Sequence, residues 1–427
     1  MPAAAANFGK QGPVPGRRTA VPFSGFPSSE ISPATDGSSG PPKPEAITRR
    51  RLPELDSLRG IAAVSVMLYH FFRLWETGDF STIQKATILW PLRIVFLGDE
   101  AVLLFFLLSG FVLAMPAIHG KAQPYGVFMT RRIIRIYVPY LTALVLAVLG
   151  ASIFHGPLPL SAWSNATWSR PVDPGLVLQH ILLLGHYDHT QFNTSFWSLI
   201  HVMRIALVFP FLCALTLRIK PRYSLGLAAA FCLISGLLDL RWPRYHGAFL
   251  TIQLLAFTVA GILLAKHKER IAACYRSVGR RAHIAFAGAC ISLYCYGSLL
   301  AGAHSGLAAD WLPAAGASGI IVVALNSSPA RRALLARPIQ FLGRISYSVY
   351  LLHGTILFAL VHMLNPRLPL FAILPLYLAI TLLASAGFYS LVEMPAMNAG
   401  RRIGRHFQPA IGQLQTAPEA AQAPSLQ

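Results

Sequence analysis

The sequence predicts an all-α polytopic membrane bundle of about ten transmembrane helices, with the N- and C-termini both cytoplasmic. Three observations carry this. Hydrophobic residues make up 54% of the 427 positions and charged residues only 12%, about half the share in an ordinary soluble domain. Long blocks (136–169, 282–309, 311–330, 345–366 and 368–392) contain no Asp, Glu, Lys or Arg, and apolar runs of about 18 or more residues read as membrane spans. Finally, 28 of the 36 Lys and Arg residues fall in segments that a ten-span count places on one side, the asymmetry expected of cytoplasmic loops. A soluble enzyme, a disordered chain and a disulfide scaffold are excluded. The formal net charge of +20 needs no nucleic-acid partner, because the positive-inside bias accounts for it.

The elements follow in chain order. Residues 1–50 are rich in Pro, Gly and Ser without apolar periodicity and read as a disordered cytoplasmic tail. Residues 51–397 form the transmembrane domain, with spans near 58–75, 99–118, 134–155, 197–217, 223–240, 248–265, 283–301, 311–326, 341–364 and 371–392. The stretch 175–185 is too short to cross ~30 Å of hydrocarbon and reads as interfacial or re-entrant. Residues 398–427 read as a flexible cytoplasmic tail. The five cysteines have no metal-type spacing and read as small core residues.

Polar groups inside spans are costly, so each is a candidate for function. Arg59 and His70 are eleven residues apart in the first span. That is about 20° past three full helical turns, so both lie on one face, roughly 16 Å apart along the axis. Asp56 is one turn before Arg59 and can pair with it. The pattern suits an anionic ligand held at the inner surface with its reactive end reaching an imidazole. A snorkelling Arg and a packing His fit the same spacing. In Arg131-Arg132-Ile133-Ile134-Arg135, Arg132 and Arg135 share a face and their forked guanidiniums suit phosphates, though the run also serves as a topology anchor. Ser109-Gly110 permits close helix approach. His201 and Arg204 stand one turn apart on the fourth span, and Tyr347, Tyr350 and His353 form a polar stripe on the ninth. Glu393 precedes a helix-stopping Pro395 and can meet a cytoplasmic Arg. The outer-loop group His180, His186, Asp188 and His189 lacks metal-ligand spacing, and no metal site is expected.

Six stretches occur together and in a characteristic order: LDSLRGIAAVSVMLYH (55–70), GDEAVLLFFLLSGFVL (98–113), RRIIRIYVPYL (131–141), FWSLIHVMRIALVFP (196–210), LGRISYSVYLLH (342–353) and YSLVEMP (389–395). In these the chain resembles the membrane acyltransferase-3 family of integral-membrane O-acyltransferases. The resemblance implies transfer of an acyl group, usually acetyl, from cytoplasmic acyl-CoA as co-substrate, with no bound cofactor. The acceptor would be a hydroxyl of a sugar, surface polysaccharide or metabolite. It implies a multi-pass protein of a bacterial inner membrane in contact with lipid. It makes His70 the general base, with Arg59 and Asp56 in the catalytic group and Arg131, Arg132, Arg135 and Ser109 on the donor side. His201, Arg204, Tyr347, Tyr350, His353 and Glu393 are further candidates. One departure stands out: Val202 occupies a position where similar members carry an acid. The imidazole and the guanidiniums are expected along one passage opening to the cell interior. Two rival readings are a secondary transporter of an anionic metabolite, separated by solute flux against acyl transfer, and a scaffold that has lost activity at Val202.

Overall fold

The computed structural model describes residues 52–75, 93, 97–183, 188–300 and 309–406. The expected amino-terminal tail and His186 lie outside them. Of the described residues 84% are helical and none lies in a strand. In chain order the helices are α1 (Pro53–Phe72), α2 (Gly98–Ile118), α3 (Tyr125–Ile153), the short α4 (Pro174–Leu182), α5 (Phe196–Arg218), α6 (Pro221–Arg241) and α7 (His246–Lys266). There follow α8 (Lys268–Ser277), α9 (Arg280–Leu300), α10 (Trp311–Asn326), α11 (Ser328–Leu334), α12 (Arg337–Leu364), α13 (Leu370–Phe388), a π-helical turn (Tyr389–Glu393) and α14 (Met394–His406).

A helix covers each of the ten predicted intervals, but only eight are long and apolar enough to cross a membrane, or nine if the bent pair α10–α11 is one span. α1 is not among the eight because Glu54, Asp56 and Arg59 fall in its first two turns. It is nevertheless enclosed. Leu55, Leu58, Ala62 and Val66 pack into one apolar cluster, while Ala63, Met67 and Phe71 pack into a second. α1 is therefore the partition between the two halves of the core. Several helices begin earlier than expected: α1 at Pro53, α3 at Tyr125 and α12 at Arg337. Apolar patterning marks the hydrocarbon-facing length, whereas backbone hydrogen bonding continues through charged interfacial turns, and Pro at the first positions suits a helix start. The tail expected to be flexible from 398 is helical to His406. Ala396, Gly400 and Gly404 form its buried face, and a Cβ on Gly404 would fall on the Arg131 side chain of α3.

The packing that organises the site is that of α1 against α12, the most extensive helix pair in the fold. A Cβ on Gly60 would land on the backbone of Leu342 and Gly343, and one on Gly343 would land on Asp56 and Ser57. Small residues at such a crossing let two backbones meet, which is how helices associate where burial from water supplies no drive. Ten residues further along each helix, His70 meets His353. The same sequence offset at both contacts makes α1 and α12 parallel. Gly110 similarly packs against the Thr258 carbonyl of α7, the close approach expected at Ser109-Gly110.

Gly60→Ala or Gly343→Ala is expected to force the two helices apart and to destabilise the protein by about 1–3 kcal/mol, as overpacking does. Thermal unfolding of the detergent-solubilised protein checks this, and wild-type stability in both variants would contradict it.

Candidate active site

Each member of the polar stripe on α12 reaches a different helix. Tyr347 donates its hydroxyl to the Ile136 carbonyl of α3 at 2.9 Å. Tyr350 shares a 2.6 Å hydrogen bond with Ser198 of α5. His353 meets His70 of α1, with Nε2 2.8 Å from His70 Nδ1. The His353 Nδ1 lies 3.0 Å from the Val349 carbonyl. A carbonyl can only accept, so that nitrogen carries the proton and, in the neutral ring, Nε2 accepts. His70 Nδ1 must then donate to it, which leaves the lone pair of His70 on Nε2. A carbonyl, one imidazole and a second imidazole thus form a chain that sets the tautomer and orientation of the last ring. His70 Nε2 has no hydrogen-bond partner among the described residues, and the ring lines a cavity of about 310 Å³, within the size range of small-molecule sites.

The segment between α3 and α5 roofs this cavity. Trp163 stacks on His70 with ring centroids 5.4 Å apart, and Thr194 Oγ1 stands 3.4 Å from His70 Nδ1. The roof is held by Trp168, whose indole is fully buried and donates to the Phe192 carbonyl at 2.9 Å. Trp168 has φ +55°, an uncommon conformation for a bulky residue, of the kind that surrounding structure must enforce. Asn193 donates to the Leu351 carbonyl and to Thr355, both at 3.0 Å, and so ties the roof to α12. Sequence reasoning missed Trp163, Thr194 and the other walls, Tyr69, Arg73 and Asp99. Most come from segments with no spacing relation to His70, although Arg73 is one turn beyond it and could have been found by that rule.

The arginines gather at the other end of α1. Arg59 donates to Asp56 at 3.1 Å and to the Leu108 carbonyl at 3.4 Å, and its charge is within electrostatic reach of Arg132 and Arg135. Glu393, buried and delivered by the π-helical turn, accepts from Ser348 at 2.6 Å and faces Arg135. π-Turns recur at functional sites because the extra residue re-aims a side chain. Arg131 is set apart, donating to Gln123 at 2.9 Å and packing over Gly404. Ser109, Arg132 and Val202 line one narrow crevice with room for about one water.

The expected common passage is the point of correction. None of Arg59, Arg132 and Arg135 lines the His70 cavity, and His70 does not line the Arg132 crevice. Tyr350, hydrogen-bonded to Ser198 and in edge contact with Phe105, fills the level between. The cavity is walled instead by the roof. His201 and Arg204 serve α7, with His201 Nδ1 2.8 Å and Arg204 3.2 Å from Thr251 Oγ1. His180 does not line the cavity, and its Nδ1 lies on the Leu176 carbonyl. No cluster of three His, Cys, Asp or Glu side chains able to hold a metal occurs among the described residues.

Residues 52–390 match the family model described as an acyltransferase domain. The chain belongs to the acyltransferase-3 family. Acyltransferase MdmB of Streptomyces mycarofaciens is 35% identical over 185 residues, 42% of this chain and 45% of that relative, so the chain spans under half of the relative's length. No solved structure matches. The acyltransferase-3 match covers the first five stretches named above but stops at 390, before Glu393, and it takes in both the histidine pair and the arginine cluster. Val202 lines the Arg132 crevice and not the His70 cavity.

The roof carries a pH-sensitive tie. Asp188 accepts from Thr190 Oγ1 at 2.7 Å and pairs with Arg170 at 2.5 Å. Burial pushes its carboxyl up, but those hydrogen bonds and the Arg170 charge leave it below its ordinary value. A lowered folded pKa means the stabilisation is present above the unfolded value, near 3.9, and is lost as pH falls through the folded one. Hydrogen-exchange protection at Thr190–Ser195 is expected to drop below about pH 4, and to be low at every pH in Asp188→Asn. Protection independent of both would contradict this.

Proposed function

We propose that the protein is an integral-membrane O-acyltransferase that moves an acyl group from acyl-CoA, with acetyl the expected group, to a hydroxyl of a sugar-bearing acceptor. The observation that carries this reading is the His353–His70 chain inside an acyltransferase-3 domain, which leaves His70 Nε2 basic and facing a cavity. The arginine end faces the cytoplasm, as the basic-residue asymmetry favours. There Arg59, Arg132 and Arg135 hold the phosphates of the donor, for which guanidinium forks are suited, while Glu393 and Asp56 keep them in place. The pantetheine arm passes the level of Tyr350 and Ser198, and the acyl carbon reaches the histidine end.

His70 Nε2 takes the proton of the acceptor hydroxyl as its oxygen attacks the thioester carbonyl. The new C–O bond forms, the tetrahedral intermediate collapses with cleavage of the C–S bond, and the imidazolium returns its proton to the leaving thiolate. General-base help of this kind contributes about 10²–10⁴-fold, and a third group that orients the base is part of that gain, as in hydrolytic triads. Family membership favours group transfer over transport of an intact solute.

His70→Ala is expected to leave the protein folded in the membrane and to abolish thiol release from acetyl-CoA in the presence of acceptor. Arg132→Ala is expected to raise the KM for acetyl-CoA about tenfold or more. Full transfer by His70→Ala would remove the base assignment, and an unchanged donor KM in Arg132→Ala would remove the donor site.

A further inference from the structure

The His70 cavity contains two further polar side chains, Asp99 and Arg73, that the reaction above does not use. Asp99, in the first turn of α2, is exposed to that space. The hydroxyl of Tyr69 donates to it, and the Arg73 charge lies within its reach. Arg73 is one helical turn beyond His70 on the same face of the chain. Its guanidinium lies 5.6 Å from the Tyr69 ring centroid and 5.3 Å from that of Trp163, close enough for cation–π attraction to hold it. Trp163 itself stacks on His70, so the base, the cation and the carboxylate share one wall system.

The chemistry of that arrangement is specific. A carboxylate accepts and a guanidinium only donates, so side by side they offer complementary contacts to adjacent hydroxyl or ether oxygens of one ring. The aromatic faces beside them suit the apolar face of such a ring. Thr167, Thr190 and Thr194 also line the cavity. The proton chain closes through His353 and Val349 and does not run through Asp99 or Arg73.

We propose that Asp99 and Arg73 form the acceptor-binding clamp of the cavity, holding an oxygen that neighbours the hydroxyl to be acylated, so that this hydroxyl alone is presented to His70 Nε2. The clamp sets which position of a polyhydroxylated ring is modified. It rests on the acyltransferase reading of the same site. A site built to hydrogen-bond a hydroxyl rejects analogues that lack it far more strongly than an apolar pocket does, because its own polar groups are left unpaired.

The test uses the purified full-length protein with acetyl-CoA and a panel of methyl hexopyranosides and their monodeoxy analogues, reading thiol release. In the wild type, one deoxy analogue retaining the acylated hydroxyl is expected to show an acceptor KM at least tenfold above that of its parent glycoside. Asp99→Asn is expected to raise the parent's KM at least tenfold, with a smaller change in kcat, and to treat parent and deoxy analogue alike. Arg73→Lys, which keeps the charge but not the fork, is expected to share the KM effect. Loss of kcat with KM unchanged in Asp99→Asn, or retained discrimination between parent and analogue, would overturn the clamp and leave the acyltransferase reading standing. Absence of glycoside-stimulated thiol release in the wild type would overturn both.

Discussion

Gly60 and Gly343 decide how closely α1 and α12 approach, and that approach is felt ten residues further along each helix. The same spacing that leaves no room for a Cβ at the glycines brings two imidazoles to 2.8 Å at the far end. Because the helices run parallel, an error in their separation or register propagates from one contact to the other. The bulk of the apolar core can absorb small shifts, but a hydrogen bond between ring nitrogens tolerates only a few tenths of an ångström. The partition position of α1, with core on both sides, resists such shifts from either direction.

From this constraint the site acquires two ends with different chemistry. The beginning of α1 and the start of α3 collect guanidiniums, balanced by Asp56 and by a carboxylate re-aimed by a π-turn. The end of α1 collects rings, hydroxyls and the basic nitrogen under a folded roof. Between them stands Tyr350, held by Ser198. In the proposed reaction a donor bound at one end and an acceptor bound at the other meet only if that level yields.

Much of this was legible in the residues themselves. Apolar blocks placed the long helices, and helical spacing put Arg59 and His70 on one face and joined Arg132 with Arg135; that Arg131 turns to Gln123 instead is visible only in the fold. The stripe Tyr347, Tyr350 and His353 was visible as three polar groups where none should be. What the stripe did was not visible, because each partner comes from a different helix. The roof escaped altogether: Trp168 and Trp163 sit in a segment with no periodicity, and their roles depend on the carbonyls and rings they meet in three dimensions. The single expected passage failed for a related reason. Sharing a helix face does not make two residues share a cavity when side chains of neighbouring helices fill the space between.

The central claim is that His353 holds His70 as a neutral ring with its proton on Nδ1 and its lone pair on Nε2. Solid-state NMR of the protein in bilayers, with ¹⁵N-histidine and the His70 signals assigned by comparison with His70→Ala, reads this directly. The account predicts a protonated Nδ1 coupled to a second histidine nitrogen and a bare Nε2 near neutral pH, with the Nδ1 coupling lost in His353→Phe. A His70 protonated at Nε2, or one whose spectrum is the same with and without His353, would contradict it.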